Sequence, residues 1–458
     1  MLNQTIEEIG SAGRDPQTFR ISMPGFVRIP AFLIAFAMFQ SAVITGVAQG
    51  PAVEVYSDRP ATASGGEGEA DPETPVWRVP LELKVTLKAG YDDNRRTRSS
   101  DGGASDDGGS FFSSGELLFN YNFGLPRTRG NLTGHAKLNY YPGSNRSPFD
   151  PDLGVKLSVQ HAVSERLTLT GDVEAKYKID PDFDIEGSSN QRRGNYFYNR
   201  DQISATYRWL PRISTITSYS FDTLQYQETT PGSIGDRYQH RLSQNLRFLL
   251  LPTVSLTGTY SLSLVSYDVE GRDSITQSIL AGVTSSIGPH LEASLAVGGQ
   301  FRSADQPGTE NSNFSASPTA NANLTYTLGE KTSLMWDARY GFVESAVGTG
   351  SSGPATSSGT RGRTSFTTGL RLNYELTARI GTSIAAHYRT YASDEVNGAP
   401  VDEFATSQNA FDLSLNVHYK INESILTFAE WKYTNVASDQ TSGSYSRNRY
   451  SLGLTITF

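Results

Sequence analysis

Six histidines are the side chains of this sequence best suited to acid–base chemistry, and their positions argue against that role. They are scattered along the chain, and none stands in a local motif with serine or carboxylate neighbours. A catalytic triad assembles in space, so the sequence leaves one open but assigns no catalytic residue. Histidines spread in this way favour polar positions on a scaffold, and we expect the protein not to be an enzyme. The six are His135, His161, His240, His290, His387 and His418.

The glycine pattern, the lack of cysteine and the net charge argue against several other kinds of functional site. The glycine-rich stretch from Gly348 to Gly362 lacks the Gly-Lys-Ser/Thr ending of a phosphate-binding loop and predicts a flexible loop. Cysteine is absent, which excludes disulfides, thiolate metal sites, cysteine nucleophiles and lipid attachment at cysteine. We therefore predict no cofactor and no metal site. The net charge of -8 and the pI near 5.4 argue against a nucleic-acid partner.

Lysine and arginine are more informative, because they recur between apolar residues at alternate positions. Lys84 and Lys88, for example, share one face of their segment with Glu82, and leucines occupy the other face. Along the chain this pattern places more basic than acidic residues on the polar face and concentrates acidic residues in the loops. A wall of this kind would favour anions. For single residues the alternative is an ion pair that holds neighbouring strands together. The candidate pore-lining residues are Lys84, Lys137, Lys176, Arg208, Arg241, Arg247, Arg339, Arg371, Arg389 and Lys432.

These side chains are carried by segments of about ten residues in which apolar and polar residues alternate. The repeat runs from residue 77 to residue 458, and its period of two is that of a strand. Counting the segments gives about eighteen, an even number as single-chain membrane barrels require. Such a barrel hides only every second residue in lipid, which is consistent with the mean hydropathy of -0.39. We predict an all-β fold, a transmembrane antiparallel up-and-down β-barrel over residues 77–458.

The breaks between segments alternate in length. Short turns fall near Pro126, Glu165, Pro211, Pro252, Pro289, Glu330, Arg379 and Asn422. Longer loops rich in Gly, Ser, Asp and Asn lie between them, at residues 92–110, 142–151, 180–195, 227–236, 268–273, 303–313, 344–362, 392–408 and 435–446. Short turns on one side and long loops on the other are typical of outer-membrane barrels and not of soluble sandwiches or propellers. The start of the first strand and the end of the last strand are then both expected on the periplasmic side.

Aromatic residues and the C-terminus give two further signals. Tyrosine, phenylalanine and tryptophan cluster near both ends of the segments, as in the aromatic girdles of membrane barrels. The last segment is amphipathic and ends in an aromatic residue, which resembles the terminal signal that the outer-membrane assembly machinery binds. We expect that machinery, membrane lipid and lipopolysaccharide as partners. The residues of the predicted assembly signal are Tyr450, Leu452, Leu454, Ile456 and Phe458.

The N-terminus has the pattern of an export signal. Arg28 precedes a stretch without charge, and Gly46 and Ala48 have the spacing that a signal peptidase requires. We predict a signal peptide at residues 1–48, with Met23 as an alternative start, and a retained inner-membrane helix as the other interpretation. The stretch 49–76, rich in Pro, Gly, Ala and Glu, predicts a disordered linker. Export across the inner membrane would deliver the chain to the bacterial outer membrane.

The first segment ends in Ala89, Gly90, Tyr91, Asp92, Asp93 and Asn94, followed by a Gly/Ser loop and a second amphipathic segment. This arrangement resembles the putative β-barrel porin families, some of which are associated with exopolysaccharide export. The resemblance implies an outer-membrane barrel. From the residues, a channel for passive diffusion of small hydrophilic solutes, with a preference for anions, is the first hypothesis. A conduit for exopolysaccharide export and a structural or surface-interaction barrel stay open. The sequence does not determine the oligomeric state.

Overall fold

The described part of the chain is an all-β structure. A computed structural model describes residues 81–95, 109–142, 148–179, 195–227, 236–268, 273–305, 312–329, 331–343, 363–393, 407–438 and 444–458. The predicted signal peptide (residues 1–48) and linker (residues 49–76) lie outside these residues, as do residues 77–80 of the predicted barrel. Within the described ranges, no helix is long and apolar enough to span a membrane.

The described residues form eighteen β-strands of 12 to 17 residues each, together with the turns and short loop segments beside them. A tilted strand needs about 9–11 residues to cross a bilayer, so every strand is long enough to cross one and to extend beyond it. The strands are β1 (Leu81–Asp92), β2 (Ser110–Leu125), β3 (Thr128–Tyr140), β4 (Phe149–Ala162), β5 (Leu167–Lys178), β6 (Tyr196–Leu210), β7 (Ile213–Tyr226), β8 (Arg237–Leu251), β9 (Val254–Tyr267), β10 (Ser274–Ile287), β11 (Leu291–Asp305), β12 (Ser312–Leu328), β13 (Thr332–Val343), β14 (Arg363–Glu375), β15 (Ile380–Ser393), β16 (Gln408–Lys420), β17 (Ile425–Ser438) and β18 (Tyr445–Thr457).

The sheet is closed. Each strand pairs antiparallel with its neighbours in sequence, and β1 also pairs with β18 from Lys84 opposite Thr457 to Asp92 opposite Arg449. Closure leaves no strand of this sheet with an unpaired edge, which is a requirement for a sheet surrounded by lipid. The predicted up-and-down barrel of about eighteen strands is confirmed.

Eight short turns connect each even-numbered strand from β2 to β16 to the strand that follows it. In the turn before β17, the Asn422 side-chain oxygen accepts hydrogen bonds from the backbone N–H groups of Ser424 and Ile425. Gly288 and Gly329 have φ angles of 68° and 63°, a conformation that other residues rarely adopt. These turns lie at the predicted positions, and the N-terminus of β1 and the C-terminus of β18 lie at the same end of the barrel as the turns.

Candidate pore wall

The cross-strand register divides the side chains into two faces, because directly opposed residues of an antiparallel pair share a face. From Lys88 the register passes to Ser114 on β2 and Asn139 on β3, and in the other direction to Gly453 on β18. We call the face that carries Lys88 the inner face. Its side chains are mostly buried or half-buried, whereas most of the exposed large hydrophobic side chains lie on the opposite, outer face.

The outer face has the composition of a wall in contact with lipid. Leu87 and Leu452 are 59% and 69% exposed there. Of the charged strand residues whose side chains the structure describes, only Asp201 and Asp305 lie on this face. Aromatic side chains flank it at both ends of the strands, as predicted: Tyr91, Tyr177, Phe221, Tyr340, Tyr388 and Tyr450 at the loop end, and Phe123, Trp209, Phe248, Tyr326, Tyr374 and Tyr419 at the turn end.

All ten candidate pore-lining residues lie on the inner face. They lie on nine of the eighteen strands, and some of them are brought together. Arg339, Arg371 and Arg389, on the consecutive strands β13, β14 and β15, all lie within electrostatic range of Asp337. Lys432 and Arg371 lie within the same range of His387. A role of these residues in conduction stays a prediction.

Basic side chains outnumber acidic ones on the inner face. The described basic residues are Lys84, Lys88, Arg129, Lys137, Lys156, Lys176, Lys178, Arg200, Arg208, Arg237, Arg241, Arg247, Arg302, Arg339, Arg371, Arg389, Lys420, Lys432, Arg447 and Arg449. The described acidic residues are Glu82, Asp92, Glu116, Asp150, Asp152, Asp172, Glu174, Asp222, Glu292, Asp337, Glu375, Asp412 and Glu430. A chain with a net negative charge therefore has a net positive inner face.

The charges are not spread evenly around the ring. On β9 to β12 the inner face consists mainly of serine, threonine, asparagine and small residues, and the described charged side chains there are Glu292 and Arg302. Ser261 and Ser278, on β9 and β10, are joined by a hydrogen bond of 2.5 Å. In a ring of eighteen strands, the strands opposite β9 to β12 are β18 to β3, where charged side chains are frequent. The interior thus has one charged side and one hydroxyl-rich side.

Several basic side chains of the inner face form ion pairs within the wall. Lys176 contacts Glu174 at 2.9 Å, and both side chains are buried. Arg200 pairs with Asp222, and Lys88 contacts Glu430 at 3.5 Å across β18. The Arg200–Asp222 and Lys88–Glu430 pairs join different strands, as the alternative interpretation of the sequence described, whereas Lys176 and Glu174 are both on β5.

The seam between β1 and β18 contains a buried ion pair. Asp92 has no exposed surface and accepts hydrogen bonds from Arg447 Nη2 at 2.6 Å and Nε at 3.0 Å. The Tyr141 hydroxyl also donates to Asp92, at 3.2 Å, and Arg449 Nε lies 3.6 Å from it. The sequence assigned Asp92 to the first loop. In the structure it is the last residue of β1, because its partners on β18 extend the pairing to that position.

The two residues after Asp92 continue this seam. Asp93 accepts hydrogen bonds from the backbone N–H of Asn448 at 2.6 Å and from its side-chain amide at 2.8 Å. The Asn94 side chain donates to the Ser446 carbonyl oxygen at 2.9 Å. The Tyr-Asp-Asp-Asn stretch that carries the family resemblance is therefore the polar closure between the first and last strands.

Aromatic side chains near the loop ends of the inner face were not predicted. Tyr196, Tyr198 and Leu224 form a buried cluster on β6 and β7. The Arg95 guanidinium lies 4.0 Å from the ring centroid of Tyr141 and pairs with Asp150 at 2.7 Å. The alternation of the sequence is sufficient to place these rings on the polar face. They were missed because the predicted aromatic girdle concerns the outer face only.

The described histidines occur mostly in separate surroundings. His135 Nε2 lies 3.0 Å from Asp152, and His418 Nε2 lies 3.9 Å from Glu375, both on the inner face. On the outer face, His161 and His240 share hydrogen bonds with Thr128 and Tyr219. The described residues contain no group of three or more His, Cys, Asp or Glu side chains that could hold a metal ion.

Comparisons with solved structures find barrels of low sequence identity. The OccAB4 structure from Acinetobacter baumannii has 12% identity and a TM-score of 0.41, over 84% of this chain and 100% of that chain. The OccK9 (OpdG) structure from Pseudomonas aeruginosa has 12% identity and a TM-score of 0.43, over 82% and 98%. The OpdK outer-membrane protein of the same organism has 8% identity and a TM-score of 0.41, over 82% and 99%. No curated protein sequence matches the chain.

The family is identified from the sequence of the barrel itself. Residues 81–458 match the family described as Putative beta-barrel porin 2, from the first residue of β1 to the last residue of the chain. This match agrees with the closed barrel, the apolar outer face and the polar inner face. The chain belongs to the Putative beta-barrel porin 2 family and is a porin-like β-barrel of the bacterial outer membrane.

Proposed function

We propose that this barrel is a channel for the passive diffusion of small hydrophilic solutes and that it prefers anions. The observation that carries the proposal is the excess of lysine and arginine on the inner face. In a tube with low-dielectric walls the field of such charges is concentrated along the axis, which lowers the barrier for negative solutes.

The number of strands supports an open interior. Barrels of about 16–18 strands are wide enough to leave an aqueous channel, whereas barrels of about eight strands fill with side chains. The hydroxyl-rich side on β9 to β12 adds hydrogen-bonding groups that an aqueous solute can use. We also propose that residues 1–48 are the cleaved export signal of this outer-membrane protein and that residues 49–76 are a flexible linker.

Planar-bilayer recordings test the proposal. The reversal potential under a potassium chloride gradient should show that chloride permeates more readily than potassium. The preference should weaken as the salt concentration rises, because added ions screen the wall charges. Changing Arg241, Arg339 and Arg371 together to Gln should shift selectivity toward cations while the barrel still folds, since substitutions inside a barrel affect selectivity more than stability.

The matched control changes three arginines in the short turns, Arg127, Arg166 and Arg212, to Gln. These positions lie outside the strands, so the same loss of charge should leave selectivity nearly unchanged. A wild-type barrel that selects cations would contradict the anion preference. A folded barrel without any conductance would contradict the diffusion channel and favour a structural barrel.

A further inference from the structure

Two buried side chains near the loop ends of β2 and β3 each have a polar atom without a hydrogen-bond partner among the described residues. Ser114 and Asn139 are directly opposed on the inner face and are 5% and 4% exposed. Among the residues that the structure describes, Ser114 Oγ and Asn139 Oδ1 have no hydrogen-bond partner. A buried polar atom without a partner has lost its hydrogen bonds to water and gained none, which is unfavourable. Two such atoms on directly opposed residues indicate a site for a bound molecule that supplies the missing hydrogen bonds.

Three basic side chains lie around this pair. Lys88 is directly opposed to Ser114, and Lys137 lies two residues before Asn139 on the same face of β3. Lys137 lies within electrostatic range of both Lys88 and Arg449. Neighbouring positions on paired strands are about 5 Å apart, so a single small molecule can contact several of them.

The carboxylates near these cations offset their charge only in part. Glu430 lies within range of Lys88, Lys137, Lys432 and Arg449. Lys137 also lies within range of Glu116 and Asp152, and Asp92 contacts Arg449 at 3.6 Å. Two of these carboxylates also face further cations, since Asp92 pairs with Arg447 and Asp152 lies within range of Lys178. Six described lysine and arginine side chains therefore lie around four carboxylates, which leaves this part of the wall attractive to another anion.

One side of the patch is apolar. The Arg449 guanidinium lies 4.8 Å from the ring centroid of Phe112, which stands two residues before Ser114 on the same face. Phe112 is buried and packs against Tyr141, with ring centroids 5.6 Å apart. These rings limit the space for bulk water beside the cations and strengthen their interaction with an anion.

We propose that this patch binds a small hydroxycarboxylate, an anion with a hydroxyl group next to its carboxylate. The carboxylate is bound by Lys88, Lys137 and Arg449. The hydroxyl group donates a hydrogen bond to Asn139 Oδ1 and shares a second with Ser114 Oγ, which can donate or accept. The inference rests on the proposed function, because the solute reaches the patch through the interior of the channel, and it names a class of solute for that channel.

Binding of sodium L-lactate and sodium propionate to the detergent-purified full chain tests the site by isothermal titration calorimetry. The two anions have the same carboxylate and differ by one hydroxyl group. Lactate should bind about fivefold more tightly, the effect of roughly one added hydrogen bond. In the double variant Ser114→Ala, Asn139→Leu, the two anions should bind with equal affinity. Lys137→Gln should weaken both anions alike, because it contacts the group that they share.

A second serine–asparagine pair provides the matched control. Ser294 and Asn323 are also directly opposed on the inner face, on β11 and β12, but they hydrogen-bond to each other at 3.3 Å. The double variant Ser294→Ala, Asn323→Leu should keep the preference for lactate. Each variant should first be shown to fold by its heat-dependent migration on gels.

Equal binding of lactate and propionate to the wild-type barrel would overturn the site, and so would an equal effect of the control variant. These outcomes are independent of the channel proposal, because calorimetry needs no conductance. An anion-selective barrel that does not distinguish the two anions contradicts the site alone. A barrel that prefers lactate in calorimetry but conducts cations, or nothing, contradicts the channel proposal and supports the site.

Discussion

Asp92 joins the first strand of the barrel to the last through a buried ion pair with Arg447. Its carboxylate is fully buried and accepts hydrogen bonds from Nε and Nη2 of Arg447. Removing one partner of such a pair leaves the other charge buried without compensation. We therefore expect Asp92→Asn to lower the free energy of unfolding by about 3–5 kcal/mol. Urea-dependent unfolding of the barrel reconstituted in lipid vesicles measures this change.

The matched control is a more exposed ion pair on the same strand. Glu82 and Lys84 are 2.9 Å apart and partly exposed, so Glu82→Gln should change stability by less than about 1 kcal/mol. Replacing both Asp92 and Arg447 with Leu should cost less than Asp92→Asn alone, because no buried charge is left unpaired. If Asp92→Asn and Glu82→Gln had equal effects, the seam ion pair would not contribute to stability.

At the scale of residues, the sequence predicted on which face of the sheet a side chain lies, but not which side chains it contacts. Alternation placed Lys137 and Arg371 on the polar side, since their faces depend only on their position in a strand. It did not predict that Asp92 pairs with Arg447, 355 positions later in the chain. It also did not predict that Ser114 Oγ and Asn139 Oδ1 are buried without a hydrogen-bond partner among the described residues, because burial on the inner face depends on the side chains of neighbouring strands.

Strands of this barrel should tolerate charge on one face only. Leu157 and Leu262 lie on the outer face near the middle of β4 and β9. Leu157→Arg and Leu262→Arg should each lower the free energy of unfolding by about 2–4 kcal/mol, because the guanidinium would face lipid. The same urea-dependent unfolding in lipid vesicles measures the effect.

The adjacent serines serve as controls for these strands. Ser158→Arg and Ser261→Arg introduce the same side chain one residue away, on the inner face, and should be mild by comparison. Larger losses for the serine variants than for the leucine variants would contradict the assignment of the two faces.

The last strand offers a test of assembly. Phe458 is 69% exposed, while its backbone N–H donates to the Leu83 carbonyl oxygen at 2.8 Å. Loss of the ring leaves this hydrogen bond in place, and some loss of barrel is expected from the energetics of the strand alone, so a control is required. We expect Phe458→Ser to reduce the yield of assembled barrel in cells, because the assembly machinery binds an apolar terminal side chain.

Heat-dependent gel migration of outer-membrane fractions measures this yield, and Thr457→Ser, one residue earlier, is the control. Normal yield of the Phe458→Ser barrel would contradict the predicted assembly signal of Tyr450, Leu452, Leu454, Ile456 and Phe458.

At the scale of elements, the sequence was sufficient for the number of strands and the positions of the turns. Period two identifies strands wherever one face meets lipid and the other water, and the alternating lengths of the breaks order the strands into hairpins. The uneven distribution of charge was not predicted. Whether β9 to β12 lie opposite β18 to β3 depends on the closure of the ring, which no single strand encodes.

At the scale of the whole molecule, the remaining prediction concerns the mature chain. An outer-membrane barrel must first cross the inner membrane, and the small residues Gly46 and Ala48 match the site that a signal peptidase cleaves. We expect the mature protein to begin at Gln49. N-terminal sequencing of the protein purified from outer membranes measures this. A mature chain that retains residues 29–47 would contradict the cleavage and favour a retained helix.

The seam between β1 and β18 also affects the order of events during folding. Asp92 belongs to the first strand to be synthesised, and Arg447 belongs to the last. During synthesis and export the Asp92 carboxylate must stay hydrated, since its partner does not yet exist and burying a lone charge is strongly unfavourable. The first strand is thus discouraged from packing early into an apolar environment. The ion pair can form only when the complete chain is present, so barrel closure is coupled to the completion of the polypeptide.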